Sequence, residues 1–330
     1  MARGIRLQRP AVLLILAVLL LLLPIVSNAL GMSFLTVDFR RFLIFAIAAV
    51  SLDLILGYGG MVSFGHAAYF GLGAYTVGLA HVAIATQQWP AWVSEPLVTW
   101  CAGALVSALV ALAVGAISLR TSGVYFIMIT LAFAQLVYFI FVGLKNIGGD
   151  DGLRFVANRQ LLGMIDLGNR MVFYYLVLAI LGGVVLLCSR LTNSHFGMVV
   201  QGCRDNEPRM RALGYETYIY RLICFVVAGA LAGFAGALFA THESFVSVSL
   251  MHWSRSGDFI IMVLLGGIGT LYGPVFGAIA YLWLESFLPE YSEHWMLFFG
   301  PFLILAILFA KQGVIGSLPP APASAKQRHA

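Results

Sequence analysis

The chain is 330 residues long, 61% hydrophobic and 10% charged, with a formal net charge of +5. A soluble domain is about a quarter charged, so this composition excludes one and fits an all-α polytopic membrane helical bundle, a single transmembrane domain over residues 1–330. The basic surplus then belongs to loops that set topology; no nucleic-acid partner is expected, and the lipid bilayer is the solvent.

Arg3, Arg6 and Arg9 precede an apolar run from Ala11 to Val26, and Ser27, Asn28 and Ala29 have the small side chains of a cleavage site. That is the outline of a signal peptide. Residues 11–30 also reach the ~20 residues a span needs, and the many spans that follow favour an uncleaved anchor. The further apolar segments are 42–57, 61–82, 97–118, 123–143, 171–189, 222–240, 259–271, 274–288 and 295–311, ten in all with the first. Segments 259–271 and 274–288 are short enough to form one re-entrant hairpin. With the N-terminus inside and every segment crossing, twelve of the nineteen Lys and Arg fall inside, and nine of the fourteen acids fall outside. The positive-inside bias therefore puts both termini and residues 190–221 in the cytoplasm and residues 145–170 outside. Residues 312–330 are expected to be a disordered cytoplasmic tail.

Two segments are interrupted by glycine. The first runs from Asp53 through Gly57, Gly59, Gly60, Ser63, Gly65, His66 and Gly71 to Gly73; the second runs from Asp258 through Gly266, Gly267 and Gly269 to Gly273 and Gly277. Paired, broken hydrophobic segments are a sequence pointer to a transport pathway, because freed backbone groups must be satisfied by protein or water rather than lipid. Close packing is the competing explanation, since small residues four apart let helices touch. Asp53 is an acid in an apolar span, where charge is costly and often functional; at a span end it can instead face water or cap a helix. His66 has no second His or acid nearby, so it reads as a packed, hydrogen-bonded residue rather than a ligand.

Residues 190–221 form the one long polar stretch, with arginines at 190, 204, 209, 211 and 221. The three lysines, Lys145, Lys311 and Lys326, lie outside any GxxxxGK[ST] setting, so no phosphate-cradling loop is present. Cys101, Cys188, Cys203 and Cys224 are scattered, which supports neither a metal nor a redox site. No catalytic group and no cofactor are expected.

The run LGYGGMVSFGHAAYFGLGAYTVG resembles the signature of permease subunits of the branched-chain amino acid ABC importer family. So do TSGVYFIMITLAFAQLVYFI with the following IGGDDGL, then HFGMVVQGCRDNEPRMRALGYETYIYRL, AGALAGFAGALFA and MVLLGGIGTLYGPVFGA. The matches run in order from Leu52 to Ala278, and they resemble the longer of the family's two permease subunits. The resemblance implies a bacterial inner-membrane permease that pairs with a second, homologous permease, two cytoplasmic ATPase subunits and a periplasmic substrate-binding protein. It also implies that 190–221 is a coupling loop whose short helix docks on the ATPase. On this sequence that helix is Arg204, Asp205, Asn206, Glu207, Pro208, Arg209, Met210, Arg211, Ala212, Leu213 and Gly214. Asp205 or Asn206 can cap it, Gly214 can end it, and Arg209 and Arg211 offer forked contacts to carboxylates. Pro208 departs from the family pattern and is expected to shift the helix start by a residue or two. Import of urea or short amides by the same family is the alternative substrate class. An ion-coupled secondary transporter is the alternative mechanism, but the spans hold almost no ionisable groups besides Asp53 and Glu285.

Overall fold

A backbone in hydrocarbon must satisfy its own N–H and C=O groups, so apolar runs of this length fold as helices. The computed structural model describes residues 9–301 except 30, 32, 87–88, 146–147, 159, 162–164, 291–293, 295–296 and 298. In chain order the α-helices are α1 (Arg9–Ala29), α2 (Ser33–Asp53), α3 (His66–Ala85), α4 (Pro96–Ser118), α5 (Val124–Gly143), α6 (Arg170–Thr192), α7 (His195–Ala212), α8 (Thr217–Glu243), α9 (Trp253–Gly266) and α10 (Gly273–Phe287). Five of them, α3, α4, α5, α6 and α8, are long and apolar enough to cross a membrane by length and composition. Arg3, Arg6, most of segment 295–311 and the tail 312–330 lie outside the described residues.

The centre of the bundle is α2. Every residue from Phe42 to Leu56 is buried, and α2 packs against α6, α8, α9 and α10. It begins nine residues before the expected segment because Arg40 and Arg41 need not leave the helix. Their guanidinium groups lie over the rings of Phe173 and Phe45, at 5.5 and 5.7 Å from the centroids, so each charge is held against an aromatic face.

Helix contact replaces hydrophobic collapse as the packing principle, because lipid is as apolar as leucine. A Cβ on Gly73 would strike the Gly233 carbonyl, one on Gly236 the Phe70 carbonyl, and one on Gly233 the Ser107 side chain. Backbones of α3, α4 and α8 therefore meet along a seam of small residues. Polar groups close the same seam: Ser107 Oγ donates to the Tyr69 carbonyl at 2.9 Å, and Trp100 Nε1 to Thr241 Oγ1 at 2.9 Å.

Helix α1 shows the same accounting. Pro24 has no N–H, which leaves the Leu20 carbonyl without its helical partner; Tyr174 Oη on α6 donates to it at 2.7 Å. Ser27, in the cleavage-like triplet, is buried and shares a 2.6 Å hydrogen bond with Thr36 Oγ1 of α2.

At the opposite end from α7, two small antiparallel pairs cover the bundle. Strand β1 (Leu153–Arg154) pairs with β4 (Phe245–Val246), and β2 (Gln160–Leu161) with β3 (Ile165–Asp166). The Gly148–Gly152 run before β1 is a tight turn, with positive φ at Gly148, Gly149 and Gly152.

Candidate functional site: the junction of two broken helices and a basic loop

Both glycine-interrupted segments break where the sequence places them, and at one point in space. The first break starts as a π-helical turn, Leu54–Tyr58, at the end of α2; the chain then runs non-helically to His66. Gly60 turns with φ +65°. The wide π turn shifts the hydrogen-bond register, as π turns at functional positions do, so the Gly57 carbonyl points out of the helix. The second break is the turn between α9 and α10, where Gly267 (φ +116°) and Gly269 (φ +71°) adopt conformations that side chains disfavour.

Asp53 joins the two. It is fully buried, and its Oδ1 accepts the Gly269 N–H at 2.8 Å, while Oδ2 has no partner among the described residues. A Cβ on Gly57 would collide with Asp53 Oδ1 and the Gly269 backbone. The choice of glycine at 57 is thus what lets the turns touch.

The third member is Arg204, from α7. Its guanidinium donates to the Gly57 carbonyl, its aliphatic stem lies against Gly60 (2.8 Å from an ideal Cβ there), and it reaches Gly269. It also attracts Asp53 electrostatically. One arginine therefore ties the basic loop to both broken segments.

The loop itself is two helices in one. Asn206 leaves the helical region (φ −159°, ψ 91°), and its Oδ1 caps the second piece by accepting the Arg209 N–H at 3.0 Å. Pro208 is the cause, since its ring would clash with the Arg204 carbonyl in an unbroken helix. The second helical piece thus begins at Glu207, whereas the expected helix began at Arg204: Arg204 and Asp205 end the preceding piece, Asn206 is the cap, and Gly214 (φ +88°) terminates the helix. Glu207 fastens it, accepting from Arg211 at 2.6 Å, Thr217 at 3.1 Å and Arg221 at 2.9 Å. Arg211 is therefore committed within the loop. Arg209, Ala212 and Leu213 are left on the exposed side. Nearby, burial raises the Cys203 thiol above its ordinary range.

The remaining expected pathway residues divide. Ser63 Oγ accepts the Gly65 N–H at 3.2 Å, shaping the start of α3, and an ideal Cβ at Gly65 would sit 3.1 Å from the Thr130 carbonyl. His66 is buried, 2.8 Å from Ser51 Oγ and edge-on to Tyr69 and Phe259. Gly59 has the Ile55 carbonyl against its open side. Gly71 and Gly73 lie in helix contacts, with Met251 and with α8; Gly266 and Gly273 face each other across the α9–α10 hairpin. The junction is thus made by Asp53, Gly57, Gly60, Gly267, Gly269 and Arg204. The Arg204–Gly57 bond was not visible in sequence, because nothing in the spacing of 147 residues signals it.

The family described as branched-chain amino acid transport system / permease component matches residues 38–308. The high-affinity branched-chain amino acid transport system permease protein LivM of Salmonella typhimurium is 26% identical over 296 residues, 83% of this chain and 68% of that protein. LivM of Escherichia coli K12 is 26% identical over 304 residues, 85% of this chain and 70% of that protein. The probable LivM of Methanocaldococcus jannaschii is 25% identical, covering 84% of this chain and 91% of that protein. No solved structure matches.

Proposed function

Because the chain belongs to the branched-chain amino acid transport system / permease component family, a family of multi-pass transport subunits, we propose that it is the membrane permease of an ATP-driven importer of branched-chain amino acids. The reading includes an ATPase pair on the cytoplasmic side, a second permease and an external binding protein. The LivM relatives, named for this substrate class, support the choice of cargo over urea or amides. The bacterial inner membrane, with α7 in the cytoplasm and β1–β4 outside, is the setting that the Lys and Arg distribution supports.

The observation that carries the mechanism is the Arg204 contact. Glu207–Leu213 is the coupling element, with Arg209, Ala212 and Leu213 as its docking face. A push on that element moves Arg204, and Arg204 moves the Gly57 and Gly269 turns at which α2, α3, α9 and α10 are hinged. Glycine turns suit such a hinge, since they absorb φ/ψ change. Asp53 keeps the two turns moving together.

The reading is tested by reconstituting the chain with its partner permease, ATPases and binding protein in liposomes and measuring leucine uptake. ATP-dependent uptake is expected, and Arg209→Glu is expected to lose co-purification of the ATPase, since reversed charge at a docked interface costs several kcal/mol, roughly 2–5. Uptake that needs an ion gradient and no ATP would overturn the reading.

A further inference from the structure

A cavity of about 480 Å³ lies at the end of the α9–α10 hairpin remote from Arg204. Its volume is in the range of small-ligand pockets. Tyr138, His252, Arg255, Asp258, Tyr281 and Glu285 are among its walls, with Phe299. The N-terminal end of α9, the C-terminal end of α10 and the 3₁₀ turn Val248–Met251 all face the side on which β4 lies, opposite α7.

The charges inside are mixed and unequally satisfied. Arg255 Nη1 lies 3.2 Å from Asp258 Oδ2 and 3.8 Å from Glu285 Oε1. Tyr281 Oη donates to Asp258 Oδ1 at 2.8 Å, so both oxygens of Asp258 are engaged. Glu285 is different: its Oε2 is buried and has no partner among the described residues. A guanidinium has five donors, and among the described residues Arg255 engages these carboxylates through Nη1 alone. The cavity thus offers an unmatched carboxylate oxygen on α10 and spare guanidinium donors on α9. Aromatic rings complete the wall, with Phe299 at 5.3 Å from Tyr281 and Tyr138 at 5.3 Å from His252.

We propose that this cavity is a transient substrate site for an amino-acid zwitterion with an apolar side chain, its ammonium on Glu285, its carboxylate on Arg255 and its side chain among Tyr138, Tyr281 and Phe299. The proposal rests on the importer reading above. Arg255 and Glu285 already face each other at 3.8 Å; a zwitterion gives each of them a second partner of opposite charge, which a neutral solute does not. Helix α9, 14 residues long and therefore roughly 21 Å end to end, connects this site to the Gly267–Gly269 turn. One hairpin then carries cargo at one end and the coupling contact at the other.

The test uses the complete importer in proteoliposomes, with radiolabelled L-leucine as probe and ATP hydrolysis measured in parallel. Glu285→Gln keeps the shape and removes the charge. Leucine uptake is expected to fall about tenfold or more, the cost of losing a hydrogen bond between charged groups, while hydrolysis stimulated by the loaded binding protein stays within about twofold. Glu285→Asp is expected to recover part of the uptake. A photoreactive leucine, captured during turnover, is expected to label the peptides holding Tyr138, Trp253–Asp258 or Tyr281–Glu285. Wild-type uptake in Glu285→Gln, a fall of uptake and hydrolysis in equal proportion, or labelling confined to other helices would overturn the site. Absence of leucine uptake by the wild-type importer would instead overturn the importer reading itself.

Discussion

At the scale of single residues, the decisive side chain is Arg204. Among the described residues its bond to the Gly57 carbonyl is the one side-chain hydrogen bond between α7 and the π turn, and Asp53 Oδ2 has no hydrogen-bond partner among them. Removing the guanidinium leaves the Gly57 carbonyl without this donor, which costs about 1–3 kcal/mol, and takes away the cation that attracts Asp53. We expect Arg204→Ala to insert and to co-purify with the ATPase, yet to lower leucine uptake about tenfold or more with hydrolysis retained. Arg204→Lys, which keeps one cation and a long stem, is expected to recover part of the coupling. Uptake at the wild-type rate in Arg204→Ala, measured beside ATP hydrolysis in the same vesicles, would remove the junction from the mechanism. Within the loop, the Glu207–Arg221 pair matters more than Glu207–Arg211, because the Arg221 side chain is 14% exposed and the Arg211 side chain 66%, and exposed pairs contribute little.

At the scale of elements, glycine has two different jobs in this chain. In the α3–α4–α8 seam it permits backbone contact; a branched side chain at Gly73 would run into the Gly233 carbonyl. Overpacking a tight contact costs about 1–3 kcal/mol, so Gly73→Val is expected to reduce folded yield and melting temperature in detergent. At the α9–α10 turn, Gly267 has φ +116° but lies at the end of a helix. Gly267→Ala is expected to assemble with near-normal yield but to import leucine several-fold more slowly, because the hinge rather than the packing is strained, by about 1–3 kcal/mol. Size-exclusion profiles and uptake rates of the two variants, side by side, distinguish the two roles. Equal behaviour of both would show that the turn is only another packing contact. The sequence displayed the glycines but not this division: a small-residue spacing looks alike whether its neighbour is another helix or another turn.

At the scale of the whole molecule, the two faces carry different machinery. The face with α7 holds Arg209, Ala212 and Leu213 in exposed positions, and the opposite face holds the β1–β4 pair. With the endogenous cysteines at 101, 188, 203 and 224 replaced by alanine, single cysteines report sidedness. Val156→Cys, at a position 92% exposed, is expected to react with an impermeant maleimide added to spheroplasts. Glu216→Cys, also exposed, is expected to react only after the membrane is opened. The reverse pattern would invert the orientation and take the ATPase away from α7, since cytoplasmic ATP could not reach it.

The sequence by itself determined the class of protein, the rough place of most apolar segments, and the two glycine breaks. Composition and periodic apolar length are local properties, and hydrocarbon leaves a spanning backbone almost no choice but helix. It also held the cap and stop of the loop helix, because Asn206, Pro208 and Gly214 act on neighbours a few residues away. Tertiary structure alone decided that Asp53, Gly57, Gly269 and Arg204 meet, and that Arg255, Asp258 and Glu285 enclose one cavity. Those contacts join residues far apart in the chain, and their partners are chosen by how helices cross. No local pattern encodes that, because a crossing point depends on the shape of every helix packed around it.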